Sequence, residues 1–333
     1  MKDLRLVRVN VTLLLLASAL PIFAQTKAYH YYRVGNPADV AGAARPGFAL
    51  MGGGADLDEA FRWLCDRAGG GDLVVLRATN SDDYNPYIQK LCKLNSVATI
   101  VIPSREAAGD PFVANAIRHA SAVFISGGDQ ANYINFWMGT PAQTTLNDAV
   151  ARGVPIGGTS AGLAVLGEYA YSAQGDKPDD PNLDGKTAMA DPFGPRVTLV
   201  RGFLDIQILK AVVTDTHFAK RNRMGRLLVF LARLNGKGQK VRGIGVEQGA
   251  AVLLEPDGTA KVAGNGSAYF VELKEGAQEL ETGKPLTLRN VEVLKIAPGH
   301  VFDVKTWQGD GTRYTLSVDA GKISSTQAGG AIY

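Results

Sequence analysis

The segment Gly158–Gly162, with the sequence Gly-Thr-Ser-Ala-Gly, has the residue types of a nucleophile elbow. It follows the apolar residues 154–156 and precedes the apolar residues 163–166, which predicts a strand, a sharp turn and a helix. Glycines allow so tight a turn, and the turn presents the serine hydroxyl at the carboxyl end of the strand. Ser160 is therefore the candidate nucleophile of an acyl-transfer reaction.

A serine nucleophile needs a general base, and the chain contains only the histidines His30, His119, His217 and His300. His217 follows the apolar residues 211–213, so we expect it at a strand end on the same rim of the sheet as the elbow. The other histidines lie near the start of the chain, in a predicted helix and in the tail. This comparison favours His217 as the base.

Arginines follow this histidine at positions 221, 223 and 226, where a helix is predicted to begin. Positive charge is unfavourable at that end of a helix, so a merely solvated helix start explains the cluster less well. Guanidinium groups bind carboxylates through paired hydrogen bonds. The cluster therefore predicts an anionic substrate.

A second glycine-containing turn follows the apolar residues 123–125, in the segment Ser126–Gln130. Its backbone amides, together with the amide of Ala161, are candidates to stabilise an oxyanion.

The elements that must position these residues are predicted by uninterrupted apolar runs at 48–51, 73–76, 98–102, 122–125 and 154–156. Uninterrupted runs are typical of strands that are covered on both faces. Between the first two runs, Asp56 can cap a helical pattern over 57–67. Strand, helix and strand in alternation predict an α/β fold with a parallel sheet and helices on both faces. After about residue 250 the pattern changes to strands and turns, which predicts a β-rich tail.

The first residues carry Lys2, Arg5 and Arg8, followed by an apolar run from Val11 to Leu20 and then by Pro21–Ala24 before the polar residues 25–26. This pattern predicts a signal peptide cleaved after Ala24 and a secreted or periplasmic protein, with an uncleaved anchor as the alternative. Removing residues 1–24 leaves 32 basic against 31 acidic side chains, a formal charge of +1. That balance argues against nucleic acid as a partner.

The chain has two cysteines, Cys65 and Cys92. A disulfide and a pair of buried thiols are both compatible with the sequence. No paired-cysteine or histidine-rich spacing is present, so we predict no metal site and no cofactor.

Taken in order, the blocks Gly52–Gly54, Ser126–Gln130, Gly158–Gly162 and Asp215–Arg226 resemble the cyanophycinase and dipeptidase E family of serine peptidases. The resemblance covers roughly residues 45–255. It implies a mostly parallel, doubly wound sheet like that of class I glutamine amidotransferases, with serine in place of their cysteine. We accordingly predict a signal peptide over 1–24, an α/β peptidase domain over 25–275 and a β-rich C-terminal extension over 276–333.

The resemblance also implies roles for individual residues. Ser160 would attack, His217 would act as the base, and the amides of Gly128 and Ala161 would form the oxyanion site. The residues implied to bind substrate are Gln130, Arg221, Arg223 and Arg226, which would hold an acidic chain, and Asp215, which would contact an arginine of the substrate.

Thr216 occupies a position at which cyanophycinases tend to have glutamine. This difference weakens the inference that the protein recognises an arginine side chain of its substrate. The acid that would orient His217 is also ambiguous, because the segment after the elbow is long and rich in carboxylates. Asp176 is our first choice, Glu168 the second and Asp179 the third.

These observations predict an exported serine peptidase that hydrolyses aspartyl or isoaspartyl peptide bonds, with cyanophycin, cleaved to β-Asp-Arg dipeptides, as the leading substrate. The alternatives are a non-catalytic relative that binds polyacids and an esterase of the α/β-hydrolase type. The expected partner is a peptide or a polyaspartate-type polymer. We expect no stable membrane insertion after cleavage of the signal peptide, and a homodimer is left open.

Overall fold

The computed structural model of the chain describes residues 27–79, 82–177, 179–235 and 239–333. The predicted signal peptide lies outside this part of the chain. Within these ranges no helix combines the length and the apolar character needed to cross a bilayer.

The described residues form strands and helices with the following bounds. The strands are β1 (His30–Gly35), β2 (Phe48–Met51), β3 (Asp72–Arg77), β4 (Ser96–Val101), β5 (Ala122–Ile125), β6 (Ile156–Thr159), β7 (Tyr169–Tyr171), β8 (Leu199–Arg201), β9 (Val212–Asp215), β10 (Arg242–Val246), β11 (Ala250–Leu254), β12 (Thr259–Gly264), β13 (Ala268–Leu273), β14 (Leu288–Ile296), β15 (Val301–Asp303), β16 (Gln308–Gly309), β17 (Thr312–Asp319) and β18 (Lys322–Ser325). The helices are α1 (Asp58–Arg67), α2 (Tyr84–Leu91), α3 (Arg105–Gly109), α4 (Pro111–His119), α5 (Gln130–Trp137), α6 (Pro141–Ala151), α7 (Ala161–Ala164), α8 (Gly185–Ala190) and α9 (Met224–Asn235).

The strands form two mixed sheets. The first has the order β1-β4-β3-β5-β6-β2-β11-β12-β15-β16, and the second has the order β18-β17-β14-β13-β10-β9-β7-β8. The first sheet contains the parallel core β4-β3-β5-β6-β2 that the apolar runs predict.

The prediction of one mostly parallel sheet is wrong, since six of the sixteen strand pairings in the described ranges are parallel. The physical reason is the length of the connections. Parallel neighbours need a crossover, which the helices provide up to α9, whereas beyond β10 short turns join the antiparallel pairs β11–β12, β15–β16 and β17–β18.

Helices cover both faces of the parallel core, as predicted. Leu73 and Val75 of β3 pack in one apolar cluster with α1, and the alternate residues Val74 and Leu76 pack in another with α4. Because successive side chains of a strand point to opposite faces, a run that is buried on both faces has to be apolar throughout.

The strands after residue 276 continue both sheets. β14, β17 and β18 extend the second sheet through β13, while β15 and β16 lie at the edge of the first. The predicted boundary at residue 275 falls between β13 and β14, which pair over six residues. Helices α8 and α9 pack in the same apolar cluster as residues of β13, β14 and β17.

Cys65 in α1 and Cys92, which follows α2, form a disulfide. Of the two alternatives that the sequence allows, the structure shows the bridge. It ties the two helices that lie on one face of the first sheet.

Candidate active site

Ser160 lies in the turn between β6 and α7, in a backbone conformation with φ of 52° and ψ of −117°. A positive φ is costly for a residue with a side chain and persists only where the surrounding structure enforces it. Its Oγ is 2.7 Å from Nε2 of His217. This is the geometry of a nucleophile hydrogen-bonded to its general base.

The two glycines of the elbow are required by close packing. A Cβ on Gly158 would lie 2.6 Å from the carbonyl of Gly162, and a Cβ on Gly162 would lie 2.0 Å from the carbonyl oxygen of Ile125. The Gly-x-Ser-x-Gly spacing therefore reflects backbone contact between the elbow and β5.

His217 comes two residues after β9 and so belongs to the second sheet, not to the sheet that carries the elbow. The expectation of a shared sheet rim was wrong in this respect. The sheets are held together beside the site: the His217 amide donates to the Gly52 carbonyl at 2.8 Å, and Thr214 Oγ1 donates to the Leu163 carbonyl at 2.8 Å.

Gly53 packs directly against the imidazole ring of His217. Its φ is +89°, and a Cβ there would lie 2.5 Å from Cε1 and 2.6 Å from Nε2 of His217. The sequence singles out Gly52–Gly54 as a block, but only the folded chain shows that the block seats the base.

The Nδ1 atom of His217 lies 2.6 Å from the side-chain amide nitrogen of Gln248, and a flip of that amide exchanges its nitrogen and oxygen. If Nε2 is to accept the Ser160 proton, Nδ1 must carry hydrogen and donate it. Gln248 must then present Oε1, since an amide oxygen accepts and an amide nitrogen donates. A neutral amide thus occupies the position of the predicted acid.

None of the three predicted carboxylates orients His217, and within the described ranges no carboxylate hydrogen-bonds to its ring. Asp176 lines the same cavity as Ser160 but is held by Arg196, at 3.1 and 3.2 Å. Asp179 is exposed.

Glu168 serves the second sheet instead. It accepts hydrogen bonds from Arg201 at 2.8 Å and from the Ala211 amide at 2.6 Å. Burial by itself would raise the pKa of Glu168, but these two donors lower it below its usual value. The Glu168 carboxylate is therefore ionised, and its hydrogen-bond partners are Arg201 and the Ala211 amide, not His217.

Gln248 lies outside the segment between Ser160 and His217, and strand pairing sets its position beside the imidazole. β9 and β10 run parallel, with Asp215 opposite Gly245. Polar residues two positions beyond each strand, His217 and Gln248, therefore emerge at one edge of the second sheet.

The imidazole is kept neutral. Burial and the positive charges of Arg221 and Arg223 lower the pKa of His217 to about 4. The nearby carboxylate of Asp215 raises the pKa but does not outweigh these effects. A neutral imidazole at neutral pH is the form that accepts a proton from serine.

Gly128 and Ala161 line one cavity of about 600 Å³ together with Ser160. The turn before α5 is fixed by Tyr133, whose hydroxyl lies 2.9 Å from the Ser126 carbonyl and 3.1 Å from the Gly127 carbonyl. Gly128 has a φ of +151°, which side-chain-bearing residues rarely adopt. Both predicted oxyanion residues thus border the space next to the nucleophile.

Two of the three arginines are internal. Arg226 is 1% exposed and forms a two-pronged pair with Asp215, with Nε donating at 2.8 Å and Nη2 at 2.5 Å. Arg223 is 5% exposed and donates to Thr216 Oγ1 at 2.9 Å and to Asn182 Oδ1 at 2.9 Å. Burial, and after it the charge of Arg226, lowers the pKa of Arg223.

Arg221 differs from both. It is exposed and lines the cavity, and within the described ranges no carboxylate pairs with it. The cluster therefore offers one guanidinium to a ligand, not the three that the sequence suggests.

Asp215 does not stand open for a substrate arginine. It is 1% exposed, and in addition to Arg226 it accepts the Thr216 amide at 2.7 Å. This corrects the role that the resemblance implies for it.

The remaining lining is polar. Gln130 borders the cavity, where its amide donates to the Tyr171 carbonyl at 3.4 Å. Lys177, Asn132 and Asn182 also line it, and they were not singled out from the sequence. In the described residues, no group of His, Cys, Asp and Glu side chains could hold a metal ion.

The sequence matches the family model of peptidase family S51 over residues 48–262. Cyanophycinase of Synechococcus elongatus is 27% identical over 258 residues, 74% of each chain. Cyanophycinase of Trichormus variabilis is 29% identical over 211 residues, 62% of this chain and 64% of the relative.

Among solved structures, a peptidase from an acI-B1 actinobacterium covers 85% of this chain and 98% of its own, with a TM-score of 0.46 and 15% identity. A putative peptidase E protein of Listeria monocytogenes covers 63% of this chain and 95% of its own, with a TM-score of 0.39 and 14% identity. The family match, which spans most of the chain, decides the assignment: the chain belongs to peptidase family S51 and is a serine-type peptidase.

Proposed function

We propose that this chain is an exported, cyanophycinase-like peptidase that hydrolyses aspartyl or isoaspartyl peptide bonds with Ser160 as nucleophile. The observation that carries the proposal is the 2.7 Å contact between Ser160 Oγ and His217 Nε2, made in a cavity that Arg221 also lines. The positive φ at Ser160, in a turn that directs its Oγ to His217, supports a catalytic role over a role in binding alone.

In the proposed mechanism, Ser160 Oγ attacks the scissile carbonyl while His217 Nε2 takes its proton. The amides of Gly128 and Ala161 stabilise the oxyanion that forms. His217 then passes the proton to the leaving amine, and a water molecule, activated in the same way, releases the acyl group. Gln248 holds the imidazole so that Nε2 faces the serine.

The preference for an acidic substrate rests on Arg221. It is the cavity-lining guanidinium without a carboxylate partner in the described ranges, and a guanidinium binds carboxylate through paired hydrogen bonds. Lys177 adds a second exposed positive charge to the same cavity. Arg223 and Arg226 act in this proposal as the framework behind Arg221.

Cyanophycin, cleaved to β-Asp-Arg dipeptides, is the leading substrate because the curated relatives are cyanophycinases. A specific observation favours a second candidate, namely acidic peptides without arginine side chains. The carboxylate that would read arginine, Asp215, is buried against Arg226, and Thr216 binds Arg223.

Export is part of the proposal. The Cys65–Cys92 disulfide supports it, since such bonds persist mainly in oxidising compartments. The basic start and the apolar run within residues 1–24 support it as well.

The test is hydrolysis of cyanophycin, β-Asp-Arg, Asp-X and isoaspartyl peptides and a short-chain ester by wild type and Ser160→Ala. We expect cleavage of at least one aspartyl substrate, and a loss in kcat on the order of 10⁶ without the nucleophile. Ser324→Ala, a change at an exposed serine on β18, is the matched control and should retain activity. Equal rates for wild type and Ser160→Ala on every substrate would refute the peptidase mechanism.

Arg221→Ala tests the choice of substrate. We expect KM to rise about tenfold for acidic peptides and to stay unchanged for the ester, because only the former present a carboxylate. The exposed neighbour Lys220 provides the control Lys220→Ala. Equal effects of Arg221→Ala on both substrate classes would remove the argument for a polyacid.

A further inference from the structure

The turn between β9 and α9 carries both the base and the exposed guanidinium. It begins at His217, whose carbonyl accepts the Arg221 amide at 2.9 Å, and it bends through Asn222 at a φ of 50°. Ala219, Lys220 and Arg221 of this turn are not buried. Contacts from outside the turn must therefore help to hold His217 and Arg221 in place.

Tyr333 supplies two such contacts through its hydroxyl. The Met224 amide donates to it at 3.0 Å, and the hydroxyl donates in turn to Asn222 Oδ1 at 3.1 Å. Met224 is the first residue of α9, and the first amides of a helix have no acceptor within it. One hydroxyl thus joins the end of the turn to the start of the helix.

The ring of Tyr333 is held edge-on against two aromatic side chains. Its centroid is 5.9 Å from that of Phe218 and 5.8 Å from that of Tyr269. Phe218 is fully buried and follows the base directly. Tyr314 holds the segment that carries Tyr333, because its hydroxyl donates to the Ile332 carbonyl at 2.7 Å.

We propose that Tyr333 is a positioning residue for the active site. It acts through Phe218, Asn222 and Met224 to hold His217 facing Ser160 and Arg221 facing the cavity. The β-rich tail thereby contributes to catalysis as well as to the sheets. This inference rests on the proposed function only for its kinetic consequences.

Kinetics of Tyr333→Phe and Tyr333→Ala test the proposal. Tyr333→Phe keeps the ring contacts and loses both hydrogen bonds, so we expect kcat/KM for the best aspartyl substrate to fall about three- to tenfold. Tyr333→Ala also removes the ring, so His217 should be misplaced and kcat/KM should fall about 100-fold. Tyr32→Phe, a change at an exposed tyrosine of β1, should leave kcat/KM unchanged.

A double-mutant cycle with Arg221→Ala separates positioning from general stability. If Tyr333 sets the place of Arg221, the effect of Arg221→Ala on KM should shrink from about tenfold in wild type to about threefold or less in Tyr333→Phe. Additive effects, with folded variants, would mean that Tyr333 only stabilises the fold. Unchanged kcat/KM in Tyr333→Phe and Tyr333→Ala would also overturn the proposal.

Hydrogen exchange of the full chain gives a readout that needs no activity. The Met224 amide should exchange faster in Tyr333→Phe than in wild type, while amides in the centre of β3 should not change. Equal protection of Met224 in both proteins would overturn the positioning role, even if wild type cleaved none of the substrates. Failure of hydrolysis with faster exchange would refute the proposed function alone.

Discussion

At the scale of single residues, the side chain that contacts Nδ1 of the proposed base, His217, is an amide and not a carboxylate. Gln248 contacts Nδ1 of His217, so in the proposed mechanism the imidazolium would have no hydrogen-bonded carboxylate from the described residues to stabilise it. In serine hydrolases with a full triad, the acid both fixes the tautomer and stabilises this charge. Here the amide can supply only the first of these effects.

The pH dependence of the reaction should show this directly. Neutral imidazole is the active form, and the pKa of His217 is lowered to about 4. Activity should therefore persist as the pH falls, with the acidic limb of kcat/KM near pH 4, in place of the value of about 6.5 for an unperturbed histidine. An acidic limb at or above pH 6 in the wild-type protein would contradict this expectation.

Gln248→Glu should reverse the effect. A carboxylate beside Nδ1 favours the charged imidazole, so the pKa of His217 should rise and the acidic limb should move to higher pH. At pH 8 we expect kcat to increase about tenfold, because the imidazolium of the transition state is stabilised. Gln248→Ala is the control. Its kcat should be about 10- to 100-fold lower than that of wild type at every pH, because the imidazole ring is no longer held.

Gly53 provides a second prediction at this scale. Gly53→Ala places a methyl group 2.5 Å from the imidazole and forces alanine to a φ of +89°, so we expect kcat to fall about 100-fold as the ring is displaced. Gly70→Ala is the matched control, since Gly70 has a φ of +79° with nothing within 4 Å of the added Cβ. It should lose stability but keep its activity, and comparable losses of kcat in the two variants would contradict the contact argument.

At the scale of elements, the site is made where the two sheets meet. β2 and β6 bring Gly53 and Ser160 from the first sheet, and β9 and β10 lead to His217 and Gln248 from the second. Backbone contacts lock the junction, with the Gly249 amide donating to the Gly53 carbonyl at 3.0 Å. The alignment of base and nucleophile therefore depends on how the sheets pack.

The disulfide acts on a different pair of elements. Cys65 and Cys92 are 27 residues apart, and closing such a loop in the unfolded chain is worth about 3.5 kcal/mol. The double variant Cys65→Ser, Cys92→Ser should lower the free energy of unfolding, measured by urea titration, by that amount. Its Tm, measured by a thermal scan, should fall as well. Activity at 25 °C should be retained because neither cysteine lines the catalytic cavity. An unchanged Tm on reduction of wild type would contradict the role of the bridge.

At the scale of the whole molecule, the tail strands and the peptidase sheets share one core. Leu288, Val291 and Leu316 of the tail pack in the same apolar cluster as Leu227 and Phe230 of α9. The tail therefore cannot unfold on its own without exposing the apolar face of α9.

We therefore expect one cooperative thermal transition, with calorimetric and van't Hoff enthalpies in agreement. Deleting residues 276–333 should yield an insoluble or unfolded protein, since it strips β14, β17 and β18 from the second sheet. Two separate transitions in the full chain, or a folded and active deletion variant, would show that the tail is an independent domain.

The sequence by itself determined the α/β core and predicted Ser160 as the nucleophile and His217 as its base, because these inferences depend on local patterns. Each of these predictions rests on a pattern of a few residues. The patterns are a serine between closely spaced glycines, a histidine at a predicted strand end and uninterrupted apolar runs. The cysteine pairing, the partner of His217 and the accessibility of the arginines depend on contacts between distant segments, and those emerge only from the fold.

Tertiary structure decided the rest for physical reasons that a linear reading does not contain. Asp215 and Arg226 face each other in a buried pair, which leaves Arg221 as the exposed guanidinium of the cluster. Gln248 reaches His217 because β10 lies parallel beside β9, a neighbour relation that a one-sheet interpretation does not predict. Contacts between distant segments likewise place Tyr333 of the tail beside the turn between β9 and α9, where it packs on Phe218 and accepts the Met224 amide.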